Sequence, residues 1–246
     1  MRKRITTDVL VFGLAALALV VGSGCRKRIS VTGDDVKNSP EGKTCPPAEG
    51  MITDGEANNN QVNVIKDRGG YWYTFVDKSG STITPTSGDQ GGTFTMAPGG
   101  ANGTKFAAHM TGKVASSDTL YAGMGLNFLE PKGPYDATAY KGISFWAKKG
   151  PGSTSKMRLK VPDANTDPEG KVCKECYNDF GMDLNLTEEW TQYVVPYIAM
   201  TQLKDWGSPR PPGVDTSKIY GLQFQVNDPG APFDVWVDEI QFTGCP

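Results

Sequence analysis

The sequence predicts an all-β domain, a β-sandwich of the jelly-roll type. Short segments that alternate apolar and polar residues with period two are separated by turns rich in Gly, Pro, Asn and Asp. No window of a dozen residues carries an amphipathic helical stripe. Many short strands joined by long loops favour a sandwich, and aromatic residues at 10% of the chain supply enough bulk for its core.

The first 25 residues have the pattern of an export signal. A basic start, an apolar run and small residues lead to Cys25, and the apolar run is shorter than the about 20 residues of a membrane span. Residues 21–25 resemble a bacterial lipobox, although Gly22 stands where Leu is usual. We therefore predict a lipoprotein signal peptide over residues 1–24 and a lipid on Cys25, with plain secretion or an uncleaved anchor as alternatives. Because Arg26 is not the Asp that retains lipoproteins in an inner membrane, we expect the outer membrane or the cell surface.

Two further regions follow the signal. Residues 25–50 are polar and predict a lipidated cysteine with a flexible linker, ordered only near Cys45. Residues 51–246 predict the jelly-roll domain. The alternating segments in it cover residues 71–77, 105–110, 120–128, 142–148, 156–161, 190–197, 221–227 and 233–242.

The cysteines predict disulfides. With Cys25 lipidated, four of the five cysteines remain, an even set in an exported and oxidising compartment. Of the three possible pairings we favour Cys45–Cys245, which ties the ends of the domain together, and Cys173–Cys176, which closes a loop. For the second pair a redox dithiol or half of a zinc site is the alternative.

Alternation separates an apolar inward face from an unusual outward face of the predicted strands. The outward residues are Tyr121, Asn127, Trp146, Arg158, Lys160, Gln223, Gln225, Asn227 and His109. Rings stack on the C–H patches of sugars, and amide and guanidinium groups pair with sugar hydroxyls. We predict that this face, without Lys160 and Asn227, binds a ligand, and that loops carrying Tyr177 and Trp206 form its walls. An ordinary sheet surface partly covered by loops is the alternative.

Five segments carry a resemblance to a known family. They are similar to a family 11-type carbohydrate-binding module, whose galactose-binding-like jelly roll also occurs in the complex I intermediate-associated protein family. The segments cover residues 54–56, 67–77, 135–148, 186–197 and 233–242. The resemblance extends over roughly residues 50–244 and implies non-catalytic binding of polysaccharide on a concave sheet.

The resemblance also implies a structural calcium ion between the first and last strands. Its ligands would be Glu56 and Asp238, with Asp54 as a third, since calcium prefers carboxylate and carbonyl oxygens. Asp238 shares a strand face with apolar residues, where a carboxylate needs a partner or an ion. A hydrogen-bonded Asp at a strand end is the alternative.

Composition and motifs exclude several functions. A formal net charge of −2 gives no basic field for nucleic acid. With one histidine in the chain, a multi-histidine metal centre is impossible, no G-x-S-x-G motif occurs, and no motif pairs the acidic residues for glycoside hydrolysis. We therefore predict a monomeric, non-enzymatic surface lipoprotein that binds a β-glucan-like or other plant or microbial polysaccharide. An envelope structural or protein-interaction lipoprotein without sugar affinity is the alternative, and an accessory of a glycoside hydrolase a minor one.

Overall fold

The computed structural model describes Ser39 and residues 42–87, 94–116 and 120–245. The predicted signal peptide, Cys25 and most of the predicted linker lie outside the described residues. Within the described ranges, no helix has the length and apolar character needed to cross a membrane.

Strands dominate the described residues, as the sequence predicts. They are β1 (Met51–Thr53), β2 (Trp72–Val76), β3 (Thr82–Thr84), β4 (Ala97–Pro98), β5 (Phe106–Lys113), β6 (Ala122–Asn127), β7 (Gly142–Lys149), β8 (Lys156–Val161), β9 (Phe180–Asn185), β10 (Thr191–Pro196), β11 (Gly221–Val226) and β12 (Pro232–Thr243). The helical elements are α1 (Pro47–Gly50) and 3₁₀ turns over Pro168–Gly170 and Tyr197–Ala199.

The strands form two antiparallel sheets. The front sheet has the order β2-β6-β11-β8-β9, and the back sheet has the order β10-β7-β12-β5-β3, with β1 on β12 and β4 on β5. Apart from the consecutive pair β8 and β9, neighbouring strands of the front sheet are distant in sequence, which is the connectivity of a jelly roll. The all-β sandwich prediction is confirmed.

The core lies between the inner faces of the two sheets. Met124 and Leu126 of β6 are fully buried there, as their alternation predicts. Phe224 of β11 meets Phe145 of β7 edge to face, with ring centroids 5.2 Å apart, and Trp72 of β2 stacks on Phe224 at 6.1 Å. The contact between Phe224 and Phe145 joins the two sheets, whereas that between Trp72 and Phe224 lies within the inner face of the front sheet, so the outer face of this sheet is left for other uses.

The two ends of the domain are joined, as predicted. Disulfides link Cys45 to Cys245 and Cys173 to Cys176, so both predicted pairs are confirmed. The Cys45 N–H donates to the Phe242 carbonyl of β12 at 3.1 Å. Residues 42–50, which belong to the predicted linker, are therefore packed on the domain.

Candidate functional site

A groove with a volume of about 560 Å³ lies on the outer face of the front sheet. Its floor consists of side chains from β2, β6, β8 and β11, and its walls include the loops before β9 and after β10. Lining side chains include aromatic rings, amides and charged groups. Three features of this groove determine its chemistry: an aromatic platform, a polar strip and a set of buried polar atoms.

The aromatic platform consists of Tyr73, Phe75 and Tyr121. Tyr73 and Phe75 of β2 pair with Gly125 and Gly123 of β6. A Cβ atom on Gly123 would lie 2.4 Å from Phe75 Cζ, and one on Gly125 would lie 2.8 Å from the Tyr73 hydroxyl oxygen. The two glycines thus allow both rings to lie across β6, since any side chain there would displace them. Ring centroids are 6.1 Å apart for Tyr73 and Phe75 and 6.2 Å apart for Phe75 and Tyr121.

The polar strip runs beside the platform along β11 and β8. Gln223 pairs with Lys160 and Gln225 pairs with Arg158 in the antiparallel ladder, so the four side chains form two adjacent rows. Gln223 Nε2 donates to the Tyr73 hydroxyl at 3.2 Å, and Lys160 Nζ donates to Gln225 Oε1 at 3.2 Å. Burial raises the pKa of the Tyr73 hydroxyl above its ordinary value, so this group stays protonated at neutral pH.

Carboxylates compensate the basic groups of the groove. Lys160 Nζ lies 2.8 Å from Asp179 Oδ2, Arg158 Nη1 lies 2.9 Å from Asp183 Oδ1, and Lys132 Nζ lies 2.6 Å from Asp167 Oδ2. Each basic side chain that lines the groove in the described ranges is thus matched by one acid. This balance suits a neutral ligand better than a polyanion.

Some buried polar atoms of the groove have no protein partner. Asn127 and Asp179 are each 2% exposed, yet the Asn127 amide nitrogen and the Asp179 Oδ1 atom make no hydrogen bond with the described residues. The same holds for Arg158 Nε. Buried polar atoms in folded proteins are almost always hydrogen-bonded. Three residues that line the groove therefore carry a buried donor or acceptor with unused capacity.

Seven of the nine predicted binding residues line this groove. They are Tyr121, Asn127, Arg158, Tyr177, Trp206, Gln223 and Gln225. The predicted walls are also in place, because Tyr177 and Trp206 lie on loops beside the sheet with 61% and 43% of their surfaces exposed.

His109 and Trp146 are not part of the groove. They lie on β5 and β7 of the back sheet, whose outer face points away from the front sheet. The His109 ring stacks on Trp236 with centroids 3.7 Å apart, and its Nε2 lies 2.9 Å from Asp234 Oδ1. Alternation shows which side chains of a strand point outward but does not show to which sheet the strand belongs. The predicted outward residues therefore lie on the outer faces of two different sheets.

The aromatic residues of the groove that sequence reasoning missed are Tyr73 and Phe75. A signal for them exists in the segment 71–77, where alternation places both rings opposite the buried Trp72. Gly123 and Gly125 give a second signal, since glycines at alternate positions of a strand leave space on one face for the rings of a neighbouring strand.

The predicted calcium ligands use their oxygens for hydrogen bonds. Asp238 Oδ2 accepts from Ala101 N and from Thr104 Oγ1, both at 2.7 Å. Glu56 Oε1 accepts two backbone N–H groups at the start of β5, and Asp54 Oδ1 accepts from Glu56 N at 3.2 Å. Burial raises the pKa of Asp238 to about 6.

This arrangement does not fit a calcium ion. N–H donors point at the carboxylates, whereas calcium takes six to eight oxygens. The described residues contain no group of three or more His, Cys, Asp or Glu side chains placed to hold a metal ion. Calcium stays a prediction from the resemblance, which a chelator experiment can decide.

Comparison with known proteins identifies the fold. One solved structure that is similar to this chain is the family 11 carbohydrate-binding module of Clostridium thermocellum in complex with a β-1,3-1,4-mixed-linked tetrasaccharide, with a TM-score of 0.52 and 17% sequence identity over 80% of this chain and 97% of that chain. Another is the solution structure of CtCBM11, with a TM-score of 0.52 and 14% identity over 82% of this chain and 99% of that chain. No family model and no curated protein matches the sequence. The domain has the jelly-roll fold of family 11 carbohydrate-binding modules.

Proposed function

We propose that this domain binds a single polysaccharide chain in the groove of the front sheet without altering it. The observation that carries the proposal is the position of unpartnered buried polar atoms beside an aromatic platform. Asn127 and Asp179, which carry the unpartnered Nδ2 and Oδ1 atoms, line the same groove as Tyr73, Phe75 and Tyr121. A pyranose ring has apolar C–H faces for the rings and hydroxyl groups at its edge for the polar atoms.

The unpartnered atoms indicate a ligand rich in hydroxyl groups. A buried polar atom without a partner costs about 1–3 kcal/mol. A sugar hydroxyl can donate to Asp179 Oδ1 and accept from Asn127 Nδ2 or Arg158 Nε, so one kind of group completes all three sites. The paired charges of the groove favour a neutral glycan. The bound tetrasaccharide in the similar Clostridium thermocellum structure makes a β-glucan the first ligand to test.

Binding without catalysis is supported by the state of the groove carboxylates. Glycoside hydrolysis in most families needs two carboxyl groups facing the scissile bond, one of which holds a proton. Asp179 lies 2.8 Å from the ammonium group of Lys160 and Asp167 lies 2.6 Å from that of Lys132. Both carboxylates are therefore engaged in ion pairs with lysines of the groove, an arrangement that supports binding rather than hydrolysis.

The lipid on Cys25 would place this binding domain at a bacterial cell surface, held at the outer membrane by a polar linker. The support is the sequence of residues 1–25, which ends at a cysteine in a lipobox-like context. Cys25→Ser should move the protein from the membrane fraction to the soluble fraction. Retention of this variant in the membrane would contradict the lipid anchor.

Affinity electrophoresis of the chain from residue 26 onward tests the proposed function. Gels would contain mixed-linkage β-glucan, xylan, mannan or pectin. We expect retardation by at least one neutral glycan, and we expect Gln225→Ala to weaken it at least tenfold. The matched control is Gln192→Ala, which removes an amide from the back sheet and should leave binding unchanged. No retardation by any of the four glycans would refute sugar binding.

A further inference from the structure

One wall of the groove is formed by two loops that are bonded to each other. We call this wall the rim and define it as residues 173–179 and 203–208. The Lys174 N–H donates to the Ser208 carbonyl at 2.8 Å, and the Ser208 N–H donates to the Glu175 carbonyl at 3.1 Å. The Gly207 N–H donates to Glu175 Oε2 at 3.1 Å. These bonds make the two loops one unit.

Asn178 fastens the two loops at the centre of the rim. Its side chain is 2% exposed, and its Nδ2 donates to the carbonyls of Leu203 at 2.9 Å and Trp206 at 2.6 Å. The Leu203 N–H donates back to Asn178 Oδ1 at 2.9 Å. A Cβ atom on Gly207 would lie 2.6 Å from Asn178 Cβ. The contact is so close that the position of one loop determines the position of the other.

The rim holds two exposed rings, and the backbone is strained at one of them, Tyr177. Tyr177 has φ = 74° and directly follows the Cys173–Cys176 disulfide, and Trp206 follows Asp205 with φ = 66°. A bulky residue seldom adopts this left-handed conformation, which persists only where the surroundings enforce it. Here the disulfide closes the loop that precedes Tyr177, and the Tyr177 N–H donates to the Thr166 carbonyl at 2.8 Å.

The topology places these rings across the groove from the aromatic platform. Tyr73 and Phe75 of the platform belong to β2 at one edge of the front sheet, whereas residues 173–179 of the rim precede β9 at the opposite edge. Thr201 extends the sheet beyond β9 by bridging to Gly181, and the loop carrying Trp206 follows it. The polar strip of β11 and β8 lies between the two aromatic surfaces.

We propose that the Cys173–Cys176 disulfide and Asn178 are positioning groups for glycan binding. They hold Tyr177 and Trp206 in place as a second aromatic surface, so that the sugar chain contacts aromatic side chains on both sides of the groove. This inference rests on the proposed function. It makes the affinity depend on a covalent bond whose sulfur atoms lie on the wall rather than in the core.

A variant that removes strain together with the ring tests the inference. Tyr177→Gly supplies the residue that adopts φ = 74° most readily, so its melting temperature should equal or exceed that of the wild type. Its affinity for mixed-linkage β-glucan should fall at least tenfold, while Tyr177→Phe should keep the wild-type affinity. A residue with a merely structural role would change stability and leave affinity in place.

A double-variant cycle tests the disulfide itself. Cys173→Ser with Cys176→Ser should weaken β-glucan binding at least fivefold, with the circular dichroism spectrum unchanged. In the Tyr177→Gly background the same pair should cause no further loss, because the disulfide acts through that ring. If the losses of affinity from the disulfide pair and from Tyr177→Gly add together, or if the disulfide variant keeps the wild-type affinity, the inference is overturned. The proposed function stays intact in both cases as long as the wild type binds. Absence of wild-type binding to every glycan of the panel would overturn both.

Discussion

The buried ion pair in the groove predicts that its two halves respond unequally to substitution. Lys160 and Asp179 are 9% and 2% exposed. Lys160 Nζ has two further acceptors, the Tyr177 carbonyl at 3.1 Å and Gln225 Oε1 at 3.2 Å, whereas neither oxygen of Asp179 accepts a hydrogen bond of normal geometry. Lys160→Met therefore leaves a buried carboxylate without compensation and should cost about 3–5 kcal/mol of unfolding free energy.

Asp179→Asn should cost less, about 1–3 kcal/mol, because Lys160 keeps two carbonyl acceptors. The double variant should recover most of the loss caused by Lys160→Met, since it contains no uncompensated charge. Urea denaturation of the four proteins, followed by tryptophan fluorescence, measures these differences. Equal losses for the two single variants, or a double variant that is no more stable than Lys160→Met, would refute the reasoning that assigns Lys160 to Asp179 as its essential partner.

Three other predictions concern the platform, acid stability and metal. Gly123→Ala should lower glycan affinity at least tenfold, because the new Cβ would lie 2.4 Å from Phe75 Cζ, whereas Gly213→Ala, with nothing within 4 Å, should bind normally in the same gel. Asp77 accepts the Tyr121 N–H at 2.8 Å. Burial raises the pKa of Asp77, but hydrogen bonds from a serine hydroxyl and from backbone N–H groups have a larger combined effect. The pKa of Asp77 in the folded protein therefore lies below its ordinary value. The contribution of ionised Asp77 to the free energy of unfolding should thus be complete above about pH 4 and be lost as the pH falls through the lower pKa of the folded state. Asp77→Asn should lower the free energy of unfolding, measured with urea at pH 7, by about 2 kcal/mol. A chelator should leave the melting temperature unchanged, because the buried carboxylate predicted to hold calcium already accepts N–H and O–H groups; a fall of several degrees would support calcium.

The strands with one buried face were predictable from sequence alone. All eight alternating segments form strands in the structure, because an apolar residue at every second position is a local signal that packing reinforces. β9 was missed, since Gly181, Asp183 and Asn185 have low β-propensity and the strand is held at the edge of the sheet by its partner β8. The presence of a strand can thus be predicted from the local alternation of residues where one face of that strand is strongly buried.

The candidate site was predictable only in part, because sheet membership is a non-local property. Gln225 and His109 both alternate outward in their strands, yet the order of strands places one on the front sheet and the other on the back sheet. The platform depends on the pairing of β2 with β6, which brings Phe75 over Gly123. The residue pattern of either strand alone does not predict the register in which β2 and β6 pair.

The central claim is that glycan binds to the groove of the front sheet, and mapping the contacts in solution tests it most directly. Titration of the isotope-labelled protein, from residue 26 onward, with a mixed-linkage β-glucan tetrasaccharide would be followed by amide and side-chain chemical shifts. We predict changes at Tyr73, Gln223 and Gln225 and at the rim residues Tyr177 and Trp206, with Trp236 on the back sheet unaffected. Changes confined to the back sheet, or no changes with this or any other neutral glycan, would contradict the claim.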